Sequence, residues 1–197
     1  DAILNAIKVN SAIGGSTNAV LHLLAIAYEA DVDLDIFEFG KVSMSVPHMV
    51  PMIPAGQYTL LDFYEAGGIP VMMKELATIL DLNGITCTGC TSKENIEKFQ
   101  NKNPDVIRSF KNPVHSRGGI AVLKGNVAPD GAVTKPSAIP ESTLLFRGPA
   151  KIYESEQDAL SGIRAKQVHG GEVVVIRNEG PKGGPGMREM LSPTSEI

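Results

Sequence analysis

Three short stretches carry residue types that could do chemistry. The first, EGPKGGPGMREM at positions 179–190, is dense in proline and glycine and closes on a carboxylate, Glu189. Proline removes an amide donor and glycine costs backbone entropy, so neither a regular helix nor a central strand fits. The stretch predicts a loop, either a plain surface turn or one that brings backbone and Glu189 close to a ligand or metal, and it lacks the Gly-Lys-Ser/Thr ending of a phosphate loop. The second, Gly14-Gly15-Ser16-Thr17-Asn18, precedes apolar Val20, Leu23, Leu24, Ala27 and Tyr28 at helical spacing. That pattern predicts an amphipathic helix capped by Ser16 or Thr17, whose free amides and hydroxyls suit an anion such as a carboxylate. Simple capping is the plainer alternative.

The third stretch is CTGC, with Cys87 and Cys90. A redox pair needs its first cysteine at a helix start after a strand, and a zinc site needs two further ligands. His115 stands alone in sequence, so the motif reads as small buried residues in a turn. His22, flanked by leucines, reads as an interior histidine without a role. Lys182 and Arg188 could pair with Glu179 or Glu189 or face an anionic substrate, and plain solvation is the reading favoured for Arg188.

The elements that position these groups divide into two textures. Up to about Gln100 the chain reads as mainly helical. A short helix is expected at IFEFGKVSMSV, then LLDFYEA with Thr59 and Asp62 as a capping pair, then VMMKELATIL with Pro70 in its first turn and Asn83-Gly84 ending it. SKENIEKFQ follows with a Thr91/Glu94 capping box. From about Pro104 short β-rich runs dominate: VIRSF, then two strands around Pro129-Asp130-Gly131, then LLFRGPAKIY and GEVVVIRNEG, with a helix at SEQDALSGIRA capped by Ser155. The expected fold class is α/β, the mainly helical end of a first α/β domain (1–104) followed by an incomplete, β-rich, barrel-like second domain (105–197).

Composition narrows the partners. The net charge is −4 and the 18 basic residues are scattered, which argues against nucleic acid or an anionic membrane. No apolar run approaches the roughly 18 residues of a membrane-spanning helix, and two cysteines are too few for a secreted disulfide framework. These features predict a soluble, intracellular protein. The start at Asp1 and the stop at PTSEI suggest an excerpt of a longer chain.

Four stretches, taken together and in order, resemble the dihydroxy-acid and 6-phosphogluconate dehydratases: GGSTNAVLHLLAIA, PAGQYTLLDFYEAGGIP, GGIAVLKGNVAPDGAVTK and VVVIRNEGPKGGPGMREML. The resemblance covers nearly the whole chain and is closest to the dihydroxy-acid branch. It implies a lyase that removes water from a small-molecule 2,3-dihydroxy acid to leave a 2-oxo acid, with 2,3-dihydroxy-isovalerate of branched-chain amino-acid biosynthesis as first choice and a sugar acid as runner-up. It also implies an iron–sulfur cluster, a Mg²⁺ ion with Glu189 among its ligands, substrate contact at Ser16, Thr17 and Asn18, a homodimer, and a cytoplasmic or organelle-matrix location. The family's cluster cysteines, its Mg²⁺-binding Asp and modified Lys, and its base serine match nothing here, so the 197 residues alone are expected to be inactive. Cys87 and Cys90 fall where the family usually carries other residues and are not taken for cluster ligands. Two rival classes remain, a metal or redox module built on CTGC and a β-rich interaction domain.

Overall fold

The α1 helix (Ala2–Ala12) is apolar on two faces, and the packing of the first part of the chain follows from that. Its Ile7 joins Val20, Phe39 and Ile120 in one buried cluster. Its Val9 and Ala12 join a larger one that includes Val46, Met49, Phe63, Met72, Leu76 and Ile107. The buried Ser11 hydroxyl would be costly unpaired, and it donates to Ile7 O at 2.7 Å. The computed structural model describes residues 1–180, 188 and 190–197, and these form two compact units, Asp1–Pro140 and Glu141–Ile197.

In the first unit α1 is followed by α2 (Asn18–Glu29), α3 (Ile36–Met44), α4 (Leu60–Glu65), α5 (Gly68–Glu75) and α6 (Ser92–Glu97). Local signals set most of these starts. Thr59 with Asp62, and Thr91 with Glu94, form reciprocal capping boxes, and the Asp35 carboxylate caps α3 by accepting from Glu38 N. Each such cap is worth about 1 kcal/mol. Gly67, at φ 123°, lets α4 turn directly into α5. The unit closes with a hairpin of β1 (Ala121–Leu123) and β2 (Ala132–Thr134), antiparallel with Ala121 opposite Thr134. The expected turn at Pro129-Asp130-Gly131 lies between them.

The second unit is a β-α-β arrangement. β3 (Ala150–Tyr153) leads into α7 (Glu156–Arg164), whose Ser155 cap accepts from Asp158 N, and β4 (Val173–Ile176) returns parallel to β3. A parallel pair needs such a crossover. α8 (Leu191–Glu196) packs on α7, where Arg164 donates to Glu196 at 2.6 and 2.7 Å.

Several expectations change. The chain is α/β, but its described strands form two separate two-stranded sheets and no closed barrel. VIRSF is a turn: Val106 and Ile107 both donate to Asn103 O, which leaves no strand ladder while still burying both side chains. Strand structure in LLFRGPAKIY begins only at Ala150. The helix expected to run to Leu80 ends at Glu75 and passes into tight turns, with Ala77 N donating to Lys74 O and Ile79 N to Leu76 O, and α1 holds the segment beyond it: Lys8 Nζ donates to Ile79 O and Asn5 Nδ2 to Asp81 O. His22 is exposed rather than interior, and Tyr28, expected on the buried face of α2, is 80% exposed. Only Val20 and Ala27 of α2 are buried, since its neighbours among the described elements are α1 and α3.

Candidate functional site

Two glycine pairs that lie far apart in sequence meet in the first unit. Gly14 ends the turn after α1 at φ 60°, a left-handed conformation costly for residues with a Cβ. Gly119 donates its amide to Ser11 O at 2.9 Å, and a Cβ on it would sit 2.6 Å from Gly14 Cα. The two backbones therefore touch with no side chain between them. Below Gly14 lies His48, fully buried; a Cβ on Gly14 would sit 2.7 Å from its Nε2. His48 is fixed by its own backbone, with His48 N donating to His115 O at 3.0 Å and Val114 N donating to His48 O at 2.8 Å. The His115 ring stacks on it with centroids 5.4 Å apart. His115 is thus not alone, as its sequence position suggested.

This platform sets the direction of the residues expected to contact substrate. Thr17 is the N-cap of α2 but makes no side-chain cap bond, and the Ser16 hydroxyl accepts from Asn18 N at 3.1 Å. Ser16 is exposed, while Thr17 and Asn18 are half-buried. The structure therefore brings Ser16, Thr17 and Asn18 together at a helix start whose threonine cap is not spent on the helix itself.

Burial, and after it the neighbouring His115, pushes the His48 imidazole down from 6.5 to about 4; a hydrogen bond with the Val50 backbone acts in the opposite sense, and Lys135 adds a smaller push downward. Unfolded His48 takes up its proton near pH 6.5, so between that value and about 4 the unfolded chain binds more protons. The stability from burying the neutral ring is full above pH 6.5 and is lost as pH falls towards 4, by on the order of 3 kcal/mol. Urea unfolding at pH 7 and pH 4.5 is expected to show this drop, and a His48→Phe variant to lose most of it. Equal pH dependence in the two proteins would remove His48 as the cause.

In the second unit the two ends of the Pro/Gly-rich stretch are tied to α7. Glu179 Oε1 accepts from Glu156 N at 2.7 Å. Arg188 Nη1 donates to Glu156 Oε2 at 2.7 Å, and its Nε lies 3.1 Å from Glu179 Oε2, an ion pair not aligned as a hydrogen bond. The Glu156 and Glu179 side chains are 15% and 9% exposed. Arg188 is therefore paired with both, which corrects the expectation of simple solvation. Glu189, Lys182 and the shape of the loop between Gly180 and Arg188 lie outside the described residues.

The CTGC segment is a turn, but its cysteines are free and exposed, not buried. Thr86 N donates to Cys90 O at 2.9 Å, and Asn95 Nδ2 donates to the hydroxyls of Thr86 and Thr88 at 2.7 and 2.9 Å. Threonines and an asparagine organise it, leaving the thiols outward. Among the described residues no group of three His, Cys, Asp or Glu side chains is placed to hold a metal, so they assemble neither a Mg²⁺ site nor a cluster site by themselves.

Residues 1–95 match the N-terminal domain, and residues 105–197 the C-terminal domain, of the dihydroxy-acid/6-phosphogluconate dehydratases. The chain belongs to this dehydratase family. It is 50% identical over 197 residues to the dihydroxy-acid dehydratase of Methanococcoides burtonii, covering 98% of this chain and 36% of the relative. It is 51% identical over 199 residues to that of Clostridium beijerinckii and 47% identical over 199 residues to that of Ruminiclostridium cellulolyticum, covering in each case all of this chain and 36% of the relative. The chain thus spans about a third of the length of these dehydratases. Both paired-glycine motifs of the Gly14/Gly119 contact fall within the matched family domains, one in each. Sequence reasoning missed His48 and its neighbour Lys135. The available signal was the VPH triplet directly after α3, a histidine between two apolar residues where a solvated loop would be polar.

Proposed function

We propose that this chain is a segment of a hydro-lyase that dehydrates a 2,3-dihydroxy carboxylic acid to a 2-oxo acid. The observation that carries the reading is the contact of the GGSTN and GGI motifs over buried His48, in a chain about half identical to dihydroxy-acid dehydratases along its whole length. The substrate class is the 2,3-dihydroxy-isovalerate type, with a sugar acid such as 6-phosphogluconate or a pentonate as the alternative in the same family.

Ser16, Thr17 and Asn18 contact the substrate at the start of α2, where amides and hydroxyls favour an anionic group. Glu189 supplies a carboxylate oxygen to Mg²⁺, whose positive charge favours the electron-rich oxygens of the reacting acid. The other ligands, the iron–sulfur cluster and the base belong to the remainder of the longer polypeptide. Arg188, paired to Glu156 and Glu179, offsets one of their two negative charges and ties the chain there to α7. The complete enzyme is proposed to be a homodimer in the cytoplasm or an organelle matrix, acting on a small molecule and not on nucleic acid or membrane. Among the described residues no helix is long and apolar enough to cross a membrane. Its domains divide near residue 104, and the second is completed as a β-rich barrel.

The test is dehydration of 2,3-dihydroxy-isovalerate after cluster reconstitution with Mg²⁺. Turnover is expected from the complete polypeptide and none from the 197 residues alone. A complete polypeptide that leaves both 2,3-dihydroxy-isovalerate and 6-phosphogluconate unchanged refutes the reading.

A further inference from the structure

Helix α4 turns a single side chain, Phe63, into the core of the first unit. Its other large apolar residues, Leu60, Leu61 and Tyr64, are 72%, 63% and 76% exposed. Their spacing puts all three on one face of the helix. Directly before α4, Gly56, Gln57 and Tyr58 line a cleft of about 510 Å³ with Pro51, Asp105 and Arg108. The apolar face and the cleft therefore adjoin. Tyr58 N donates to Pro51 O at 3.2 Å and Ile53 N to Tyr58 O at 2.9 Å, which fixes the chain just before the Thr59 cap.

The cleft holds one charge of each sign, and neither is used. The Arg108 guanidinium is half-buried, its Nε is buried without a hydrogen-bond partner, and among the described residues it makes no ion pair. Asp105 is exposed and makes no ion pair among them either. The turn between them is held by Val106 N and Ile107 N, which donate to Asn103 O, and by Arg108 N, which donates to Met49 O at 3.0 Å. A recessed guanidinium without a partner is costly. With a protruding carboxylate three residues away, the surface is its own complement. A small anion would be drawn by Arg108 and repelled by Asp105. A second copy, turned about a two-fold axis, satisfies both charges at once, since each contact of such an interface occurs twice.

We propose that the outer face of α4 and the Arg108/Asp105 cleft form an isologous interface between two copies of this chain. Arg108 of each copy pairs with Asp105 of the other, and Leu60, Leu61 and Tyr64 pack across the axis. The ion pairs set the register, and the apolar face supplies the buried centre. The inference rests on the homodimer reading, to which it gives an interface, and is independent of the substrate and metal assignments.

Charge exchange in the complete enzyme, followed by analytical ultracentrifugation, tests it. Arg108→Asp and Asp105→Arg each set like charges against one another at two places, and each should raise the dimer dissociation constant about 100-fold or more. Mixing the two variants should restore dimers of near wild-type strength, because both contacts of the mixed pair then join opposite charges. Tyr64→Asp should weaken the dimer with no rescue on mixing. Circular dichroism checks that each variant folds, and Arg108→Glu or Asp105→Lys replaces one that does not. Single charge variants that dimerise like wild type overturn the proposal. So do weakened variants that mixing does not rescue, the result expected if another segment of the longer polypeptide covers this face. A monomeric wild-type enzyme removes the homodimer reading and this inference together, whereas a dimeric wild type with unaffected single variants removes only the interface.

Discussion

Glu189→Gln in the complete enzyme is expected to cut turnover roughly 100-fold or more and to raise the Mg²⁺ concentration needed for half-activation. Residues that merely orient a metal ligand cost about 10- to 100-fold in affinity or activity when changed, so loss of a ligand itself belongs at or above that range. The substitution keeps size, removes the negative charge and replaces one of the two acceptor oxygens by an NH2 that cannot ligate a cation. Its sequence neighbour Arg188 is already engaged by Glu156 and Glu179. Titrating activity against Mg²⁺, with bound metal measured in parallel, checks the expectation. An unaltered half-activation point would take Glu189 out of the metal site while leaving the family assignment untouched.

The second large effect is expected at Gly14. Gly14→Ala places a methyl group 2.7 Å from His48 Nε2 on a backbone at φ 60°, and His48 cannot retreat because its backbone is bonded on both sides to residues 114 and 115. The left-handed conformation alone costs roughly 1–2 kcal/mol, and overpacking a fixed core adds about 1–3 kcal/mol. Chemical denaturation should show the sum. Gly119→Ala should behave similarly, since its Cβ would press on Gly14 itself. By contrast Gly84→Ala, where nothing lies within 4 Å, should leave stability nearly unchanged. A Gly14 variant as stable as wild type would mean that the platform yields, and that the two motifs do not need their close approach.

What could be read from the sequence was local. Capping boxes at Thr59 and Thr91, the Ser155 cap and the Pro-Asp-Gly turn are encoded within a few residues, and all have their expected places. What could not be read depends on distant partners. The segment after α5 is held by Lys8 and Asn5 more than seventy residues away, and VIRSF turns instead of extending because its amides bond Asn103 and Met49. The start of α2 after Thr17 was legible because a helix start is a local pattern. His48 was not, because its surroundings come from Gly14, Val114, His115 and Gly119, all distant from it in sequence. Arg188 looked solvated for the same reason: Glu156 lies outside its stretch of sequence.

The bond from Ser43 Oγ to Ile120 O, made across 77 residues, also bears on the order of synthesis. Ile120 completes the cluster of Ile7, Val20 and Phe39, and the Gly14 turn finds its seat only when Gly119 has arrived. A ribosome adding about 5–20 residues per second would hold the first three helices unfinished for several seconds. During that interval their apolar faces are a natural target for chaperones. A translational pause near residue 100 of this segment would prolong the exposure.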